Sequence, residues 1–435
     1  MLATIQLSAQ KKWTLQDCID YAMENNITLK KSQLQKQSAT EDLKGAKAAL
    51  LPTLSASTNQ SLGYQPWKDT GMAYVTNGTV NTKVDKTSYN GSYSLSGQWT
   101  VWNGNRNTNT IRLDELSEQQ AELSAQETAN SIQERIAQLF SQILYLDENV
   151  KVNEQMLETS RKNEERGREM VEVGKMSKAD LAQLSAQRAS SEYSIVESET
   201  QLAKYKLQLK QALDLDAGTA FDVAIPATSD QQALAEIPSL SSVFEAAMAQ
   251  RPEIKNALLG IESSNLQMKI AKAGALPTVT VNGGVGTSTN SMSSLAWGTQ
   301  MKNNLDLTAS VAVNVPIFDA RRTKTNVNKA RIAQEQAHVN YDNEQHDLYC
   351  TVEELWLDAI NNQQKFRSAL ATVESEQESY NLLSEQFNLG LKNIVELLTG
   401  KDKLLTAQQN KLQSKYTTIL SQQLLKFYQN GTIKI

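Results

Sequence analysis

The chain has 435 residues, 40% of them hydrophobic and 21% charged, so it is too apolar for a disordered segment and long enough for two or three ordinary domains. Only 7 Pro and 19 Gly interrupt that length, a scarcity of helix breakers that favours long helices. The 43 basic and 48 acidic residues leave a net charge of -5, which gives no footprint for nucleic acid, and two cysteines with two histidines supply neither a soft-metal site nor a nucleophile-base pair. No catalytic residue, metal or cofactor is expected. No apolar run reaches the roughly 18 residues of a spanning helix, but a spanning β-barrel remains open, because its alternating strands escape hydropathy windows.

In chain order, residues 1–12 end in small residues without a basic start and read as a signal-peptide remnant or a disordered N-terminus. Two repeats follow, 13–214 and 238–430, joined by an equatorial linker at 215–237. Leu15 recurs as Leu240 and Pro52 as Pro277, both 225 residues on, while Gly174 recurs as Gly390, 216 residues on. The difference places one longer loop in the first repeat. Each repeat opens with a helical pattern that stops at a proline, Pro52 or Pro277, since the ring disfavours helix in the residue before it.

The period then switches from 3.6 to 2, predicting β-hairpins over 53–103 and 278–318. Tyr89, Tyr93, Leu95, Trp99 and Val101 alternate with Asn90, Ser92, Ser94, Ser96 and Gln98, and Leu305 to Ile317 alternates with Asp306, Thr308, Ser310 and Asn314. These strands have the length of a tilted bilayer crossing. Trp99, Trp102, Tyr64 and Tyr89 suit an aromatic girdle or ordinary sheet packing, and the polar loops 65–88 and 287–304 should face outward.

Long helices are predicted over 106–173 and 322–389, with apolar positions at heptad spacing: Ile132, Ile136, Leu139, Ile143, Leu146 and Val150, then Leu348, Val352, Leu355, Ala359, Asn362 and Phe366. Gly174 and Gly390 end them, and return helices follow over 178–213 and 394–429. About 68 residues of helix reach roughly 100 Å, the length of two half-size helices end to end. The fold class is therefore mainly α, a coiled-coil barrel with four β-strands per chain. Four strands cannot close a barrel alone, and the polar strand face favours the 12-stranded closure of a trimer over an 8-stranded dimer.

The sequence resembles the TolC-like outer-membrane efflux protein family over nearly its whole length. The matching residues are Ala49-Leu50-Leu51-Pro52 and Gly274-Ala275-Leu276-Pro277 at the strand starts, and Pro316-Ile317-Phe318-Asp319-Ala320-Arg321-Arg322 with its relative Trp102-Asn103-Gly104-Asn105-Arg106 at the strand ends. The tips Gly174-Lys175-Met176-Ser177 and Gly390-Leu391-Lys392-Asn393 match too. The resemblance implies a homotrimer in the outer membrane of a Gram-negative bacterium, contacting lipid through its barrel. It implies an exit duct for tripartite efflux or type I secretion, with the tips docking to a periplasmic adaptor and an inner-membrane transporter supplying energy and choosing cargo.

It also implies a periplasmic gate. Family members carry two acids three residues apart on the second return helix; here these positions hold Glu396 and Thr399, so one charge is missing, and the first repeat offers Asp180. Acids in a first helical turn equally complement the helix dipole. Glu335 and His338 have the spacing of a di-iron ligand pair but lack the second pair such sites need, and read as a solvated face. Cys18 and Cys350 could pair, though two small buried thiols is the stronger expectation. The rival reading is a soluble coiled-coil scaffold, which explains the heptads and leaves the four strands unexplained.

Overall fold

The computed structural model describes residues 12–67, 70–76, 78–83, 85–216, 218–226 and 228–433. In chain order the elements are β1 (Lys12–Trp13), α1 (Leu15–Asn25), α2 (Ile27–Ala48), β2 (Thr53–Tyr64), β3 (Thr70–Val75), β4 (Gly78–Lys83), β5 (Thr87–Trp102), α3 (Arg106–Glu172), α4 (Lys178–Ala212), β6 (Asp222–Val223), α5 (Asp230–Ala233), α6 (Leu240–Gln250), α7 (Pro252–Ala273), β7 (Thr278–Asn290), α8 (Trp297–Asn303), β8 (Asp306–Asn314), α9 (Arg322–Asn388) and α10 (Ile394–Asn430). They fall into two compact units, residues 1–36, 120–258 and 339–435, and residues 37–119 and 259–338. Each repeat contributes to both. No helix among the described residues is long and apolar enough to cross a membrane.

The second unit is built on one sheet in the order β2-β5-β7-β8, every neighbouring pair antiparallel. Its register sorts the side chains. Ser55, Ser57 and Ser61 stand opposite Ser96, Ser94 and Asn90, and Ser92 and Gln98 stand opposite Ser288 and Asn282, so one face is polar. Leu95, Trp99 and Val281 stand opposite Val285, Val281 and Val311, so the other is apolar. The polar face is cross-linked by hydroxyl pairs, Ser57 to Ser94 at 2.7 Å and Ser55 to Ser96 at 3.0 Å. A bulge between Thr100 and Trp102 sets Trp102 opposite Val279, in the apolar series with Trp99.

The loops between the strands are more structured than the sequence indicated. Within 65–88, β3 and β4 pair antiparallel around Gly78, whose φ of 143° only glycine adopts readily. Within 287–304, β7 continues to Asn290 and α8 leans on it, because the buried Gln300 side chain accepts from Asn290 N and donates to Leu295 O, both at 2.8 Å. Trp297 of α8 meets Tyr93 edge to face at 6.1 Å.

In the first unit, the seam of α3 runs as expected through Ile136, Leu139, Ile143 and Leu146, all buried. On α9 the burial is sparser: Val352, Ala359 and Phe366, one residue per heptad, are fully covered within the chain, while Asn362 lines an open groove between α9 and α10. The linker is not plain loop. Its β6 pairs in parallel with β1, which brings Lys12 of the expected signal remnant into the fold; residues 1–11 lie outside the described residues. Cys18 is fully buried in the main core, whereas Cys350 is exposed with its Sγ 3.6 Å from His346 Nε2, so the expectation of two buried thiols fails for Cys350 and the two are not paired.

The helical stretch expected from Leu15 to Leu51 is broken at Asn26, which leaves the helix at φ −61° and ψ 127°. Its Oδ1 accepts from Thr28 N and Leu29 N, capping α2, and its Nδ2 donates to Ala212 O. The second repeat breaks at the same place. Arg251 takes φ −63° and ψ 131°, and Pro252 opens α7 where a missing N–H costs nothing. Arg251 is buried between Glu253 at 2.7 Å and Glu134 at 3.4 Å, with its guanidinium 4.1 Å from the Tyr428 ring centroid. Burial raises the Glu134 carboxyl pKa against the pull of Arg251, and pushes the Tyr428 hydroxyl up to about 12.

Helix pairing in the two repeats uses one glycine each, on opposite partners. On α3 a Cβ at Gly167 would collide with Leu184 Cδ1 of α4; on α10 a Cβ at Gly400 would stand 2.6 Å from Leu383 Cδ1 of α9. Residues 167 and 383 are repeat equivalents, as are 184 and 400. The glycine and leucine have exchanged helices between the two pairs. Gly400→Leu should therefore overpack the second pair and cost about 1–3 kcal/mol, Leu383→Gly should leave a cavity, and the double variant should recover at least about 1 kcal/mol relative to the sum. Chemical unfolding of all three variants checks this.

Candidate gate and helix tips

Both expected docking tips are built by the same helix-ending motif. Gly174 and Gly390 sit in the left-handed region at φ 70° and 75°. Gly174 N donates to Val171 O at 3.0 Å and Lys175 N to Met170 O at 2.7 Å; Gly390 N and Leu391 N make the equivalent bonds to Phe387 O and Gln386 O, both at 2.9 Å. These crossed bonds satisfy carbonyls that the helix end would orphan. Met176 turns inward and packs beside Gly167. Val173, Leu389, Leu391 and Val395 are all at least 60% exposed, so each tip presents apolar side chains outward, with Lys175 and Lys392 beside them.

The return helices start on side-chain caps. Ser177 Oγ accepts from Asp180 N at 3.1 Å and donates to Asp180 Oδ2 at 2.8 Å, while Asn393 Oδ1 accepts from Glu396 N at 3.0 Å. Asp180 and Glu396 thus both occupy the third helical position, where a carboxylate also complements the helix dipole. Glu396 has a second partner, Lys392 one turn before it, in a tight ion pair. That pair sets a cation against the Glu396 carboxylate, and its i,i+4 spacing was readable in the sequence. No hydrogen bond or ion pair joins Asp180 to Glu396 among the described residues. Thr399 is exposed and lines an open groove with Thr372, Glu376, Asp402, Lys403 and Asn410, so acids flank the position where the family's second charge is missing.

At the strand ends the repeats share a strained backbone. Gly104 and Asn105 take φ 69° and 62° ahead of Arg106; Ala320 and Arg321, their repeat equivalents, take 49° and 71° ahead of Arg322. Glycine and asparagine enter this region readily, whereas Ala320 and Arg321 carry a penalty of about 1 kcal/mol or more each. The turn is held by a capping residue at one equivalent position: Asn103 Oδ1 accepts from Asn107 N at 3.2 Å, and Asp319 Oδ2 from Thr323 N at 2.7 Å. Hydrogen bonds from Thr323 hold the Asp319 carboxyl pKa below its usual value. Pro52 and Pro277 each stand immediately before a strand, β2 and β7, and Pro316 lies two residues beyond β8, before the exposed Ile317 and Phe318. Trp99 Nε1 donates to Leu50 O at 2.8 Å, tying β5 to the turn before Pro52.

Sequence patterns missed one residue of this region. Lys401 is buried at 1% exposure on α10, between Leu397 and Leu404. The signal was its register, three and four residues from neighbours in an apolar stripe.

The family model described as Outer membrane efflux protein matches residues 18–214 and 243–431. Outer membrane efflux protein BepC of Brucella suis biovar 1 (strain 1330) is 20% identical over 408 residues, covering 94% of this chain and 83% of that protein. Cation efflux system protein CusC of Escherichia coli (strain K12) is 23% identical over 216 residues, covering 48% of this chain and 45% of that protein. Among solved structures, a crystal structure of CusC superposes with a TM-score of 0.80 at 16% identity, covering 97% of this chain and 95% of that one. The Campylobacter jejuni CmeC outer membrane channel superposes with a TM-score of 0.78 at 19% identity, covering 96% and 86%. At such identities the superpositions establish the fold, which is that of outer-membrane channels, and the soluble scaffold is not favoured.

Nothing lies within 4 Å of a Cβ built at Gly174 or Gly390, so the cost of substituting them is purely conformational. Gly390→Ala should destabilise the tip by about 1 kcal/mol and Gly390→Asn by less, with Asn393→Ala costing about 0.5–2 kcal/mol through the lost cap. Hydrogen exchange at residues 386–397 measures each.

Proposed function

The chain belongs to the outer membrane efflux protein family, and from that premise we propose that three copies close a 12-stranded barrel and form the passive exit duct of a tripartite efflux or type I secretion system, without catalysis of its own. The observation that carries this reading is the sheet. Among the described residues β2 and β8 each keep one edge unpaired, and the two sheet faces differ in polarity around Leu95, Trp99, Val281 and Val311 on one side and the serines on the other. An open edge in hydrocarbon leaves several kcal/mol per unsatisfied backbone group, so closure by further copies is required. The apolar face suits lipid and the polar face a water-filled lumen. Detergent-solubilised protein should have a mass of three times 48.2 kDa by light scattering; a stable monomer overturns the trimer.

The apolar side chains around Gly174 and Gly390 support docking of a periplasmic adaptor there, with an inner-membrane transporter behind it. Gly390→Val should abolish efflux while assembly in the outer membrane persists. The capped acids support a gate in which three copies of Glu396, flanked by Asp180, form a ring that attracts cations. Replacing Glu396 with Gln should lower cation preference in single-channel recordings, Glu396→Lys should reverse it, and Lys392→Ala should raise it by uncovering the carboxylate. Unchanged selectivity in all three assigns Glu396 to helix capping alone.

A further inference from the structure

On α10 the inward positions Ile394, Leu397, Lys401 and Leu404 recur at spacings of three and four, and all are at most 5% exposed. Lys401 therefore occupies a core position. Its Nζ donates to Ser160 Oγ of α3 and, at 2.9 Å, to Ser191 Oγ of α4, and these two hydroxyls are 3.0 Å apart. The amine thus sits where three helices meet. Lys401 has no ion-pair partner among the described residues. The charge that reaches it is that of Asp402, the next residue, whose Oδ1 accepts from Gln187 of α4 at 3.4 Å. Arg161 and Glu164 of α3 and Arg188 and Glu192 of α4 are engaged with one another, Arg188 lying 2.7 Å from both acids and Arg161 3.5 Å from Glu192. From α9, the Tyr380 hydroxyl accepts from Asn163 at 3.2 Å, and Glu376 lies with Asp402 and Lys403 along the open groove.

Lys415, on the same helix, shows what a compensated buried lysine looks like here. It is 5% exposed, but its Nζ lies 3.4 Å from Asp230 Oδ1 and 4.0 Å from Glu148 Oε1 and donates to Thr228 O at 2.9 Å. An ammonium hydrogen-bonded only to hydroxyls bears a desolvation cost that the charge of the adjacent Asp402, with no ion-pair contact, offsets only in part.

We propose that Lys401 is a release element of the tip, a cation buried without a counter-ion that biases the seam of α3, α4 and α10 toward separating, because separation returns the ammonium to water. This rests on the reading of the tip as the gate, but the seam itself lies within one chain, so its energetics are independent of that reading. Burial holds the Lys401 pKa at about 8 in the packed seam, against 10.5 for a solvated lysine. Separation therefore takes up a proton between these values. The bias is full below about pH 8, weakens by up to about tenfold per pH unit as pH rises, and is gone above the solvated pKa.

The test is hydrogen exchange in the solubilised full-length protein at residues 157–164 and 397–404, corrected for intrinsic base catalysis, with single-channel recording alongside. Lys401→Met keeps the volume and removes the charge. It should slow exchange there by about tenfold or more at pH 7 and lower the frequency of channel opening. The parent protein should gain protection between pH 8 and pH 10, and Lys401→Met should not. Ser191→Ala, which removes one of the two hydroxyl partners, should speed exchange. Faster exchange in Lys401→Met, or flat protection across that pH range in the parent, overturns the proposal and makes the lysine a latch held by its hydrogen bonds. Slower exchange with unchanged channel opening supports the release element and overturns the gate reading.

Discussion

A four-stranded sheet with opposite faces of opposite polarity leaves two rows of backbone donors and acceptors along β2 and β8, and in an outer membrane neither lipid nor water on the apolar side can satisfy them. Much else in the chain serves that edge. The repeat duplicates a hairpin so that one chain brings four strands instead of two. The matched registers from β2 to β8 keep the serines on one face, because a slip by one residue would turn them toward lipid. The bulge before Trp102 makes the same point locally: it absorbs one residue and keeps the tryptophan in the apolar series.

The two repeats show which features the backbone demands and which it tolerates. The helix-ending bonds at Gly174 and Gly390 are the same to within 0.2 Å of each other, 3.0 and 2.7 Å against 2.9 and 2.9 Å, and both positions need glycine's access to positive φ. The turns into α3 and α9 keep their positive-φ pair while trading Gly104-Asn105 for Ala320-Arg321, so here the surrounding structure imposes the conformation on residues that disfavour it. The helix break keeps its angles while trading an asparagine cap for a buried arginine and a proline. At Gly167 and Gly400 even the direction of the knob and hole is reversed. Backbone conformation at these points is common to both copies; the chemistry that fixes it is not.

That distinction decides what could be read from sequence. The strands, the long helices and the glycine ends are periodic or conformational signals, and they lie in the residues themselves: Pro52 and Pro277 before strands, serines alternating with Tyr93 and Leu95, and Gly390 after a proline-free helix. Asn26 escaped notice because an asparagine in an otherwise regular pattern is also tolerated on a helix surface; its caps to Thr28 N and Leu29 N are local, and its donation to Ala212 O, 186 residues away, has no trace in the local sequence. Arg251 was more legible, since a proline following it can only begin a helix or break one. The acids at 180 and 396 were singled out as gate candidates; their caps, and the pairing of Glu396 with Lys392, are local geometry that makes each of them a helix-start residue first. Cys350 was misjudged because burial at one heptad position of α9 says little about its neighbours when only every seventh residue is covered within the chain.

The buried lysines on α10 place two kinds of stability on one helix. Around Lys415 the charge is matched by Asp230 and Glu148, and the neighbouring Tyr416 and Phe427 join the main core with Phe140 and Ile143. Around Lys401 the core is thinner, a cluster of Met156, Leu184, Tyr380, Phe387, Ile394, Leu397 and Leu404 interrupted by an ammonium and by Gly400. Apolar area scales the cohesion of a seam, and an unmatched charge subtracts from it. A helix so built has its strongest hold at one end and its weakest beside the tip, which is where a duct that must open without unfolding needs the cooperative unit to be least stable.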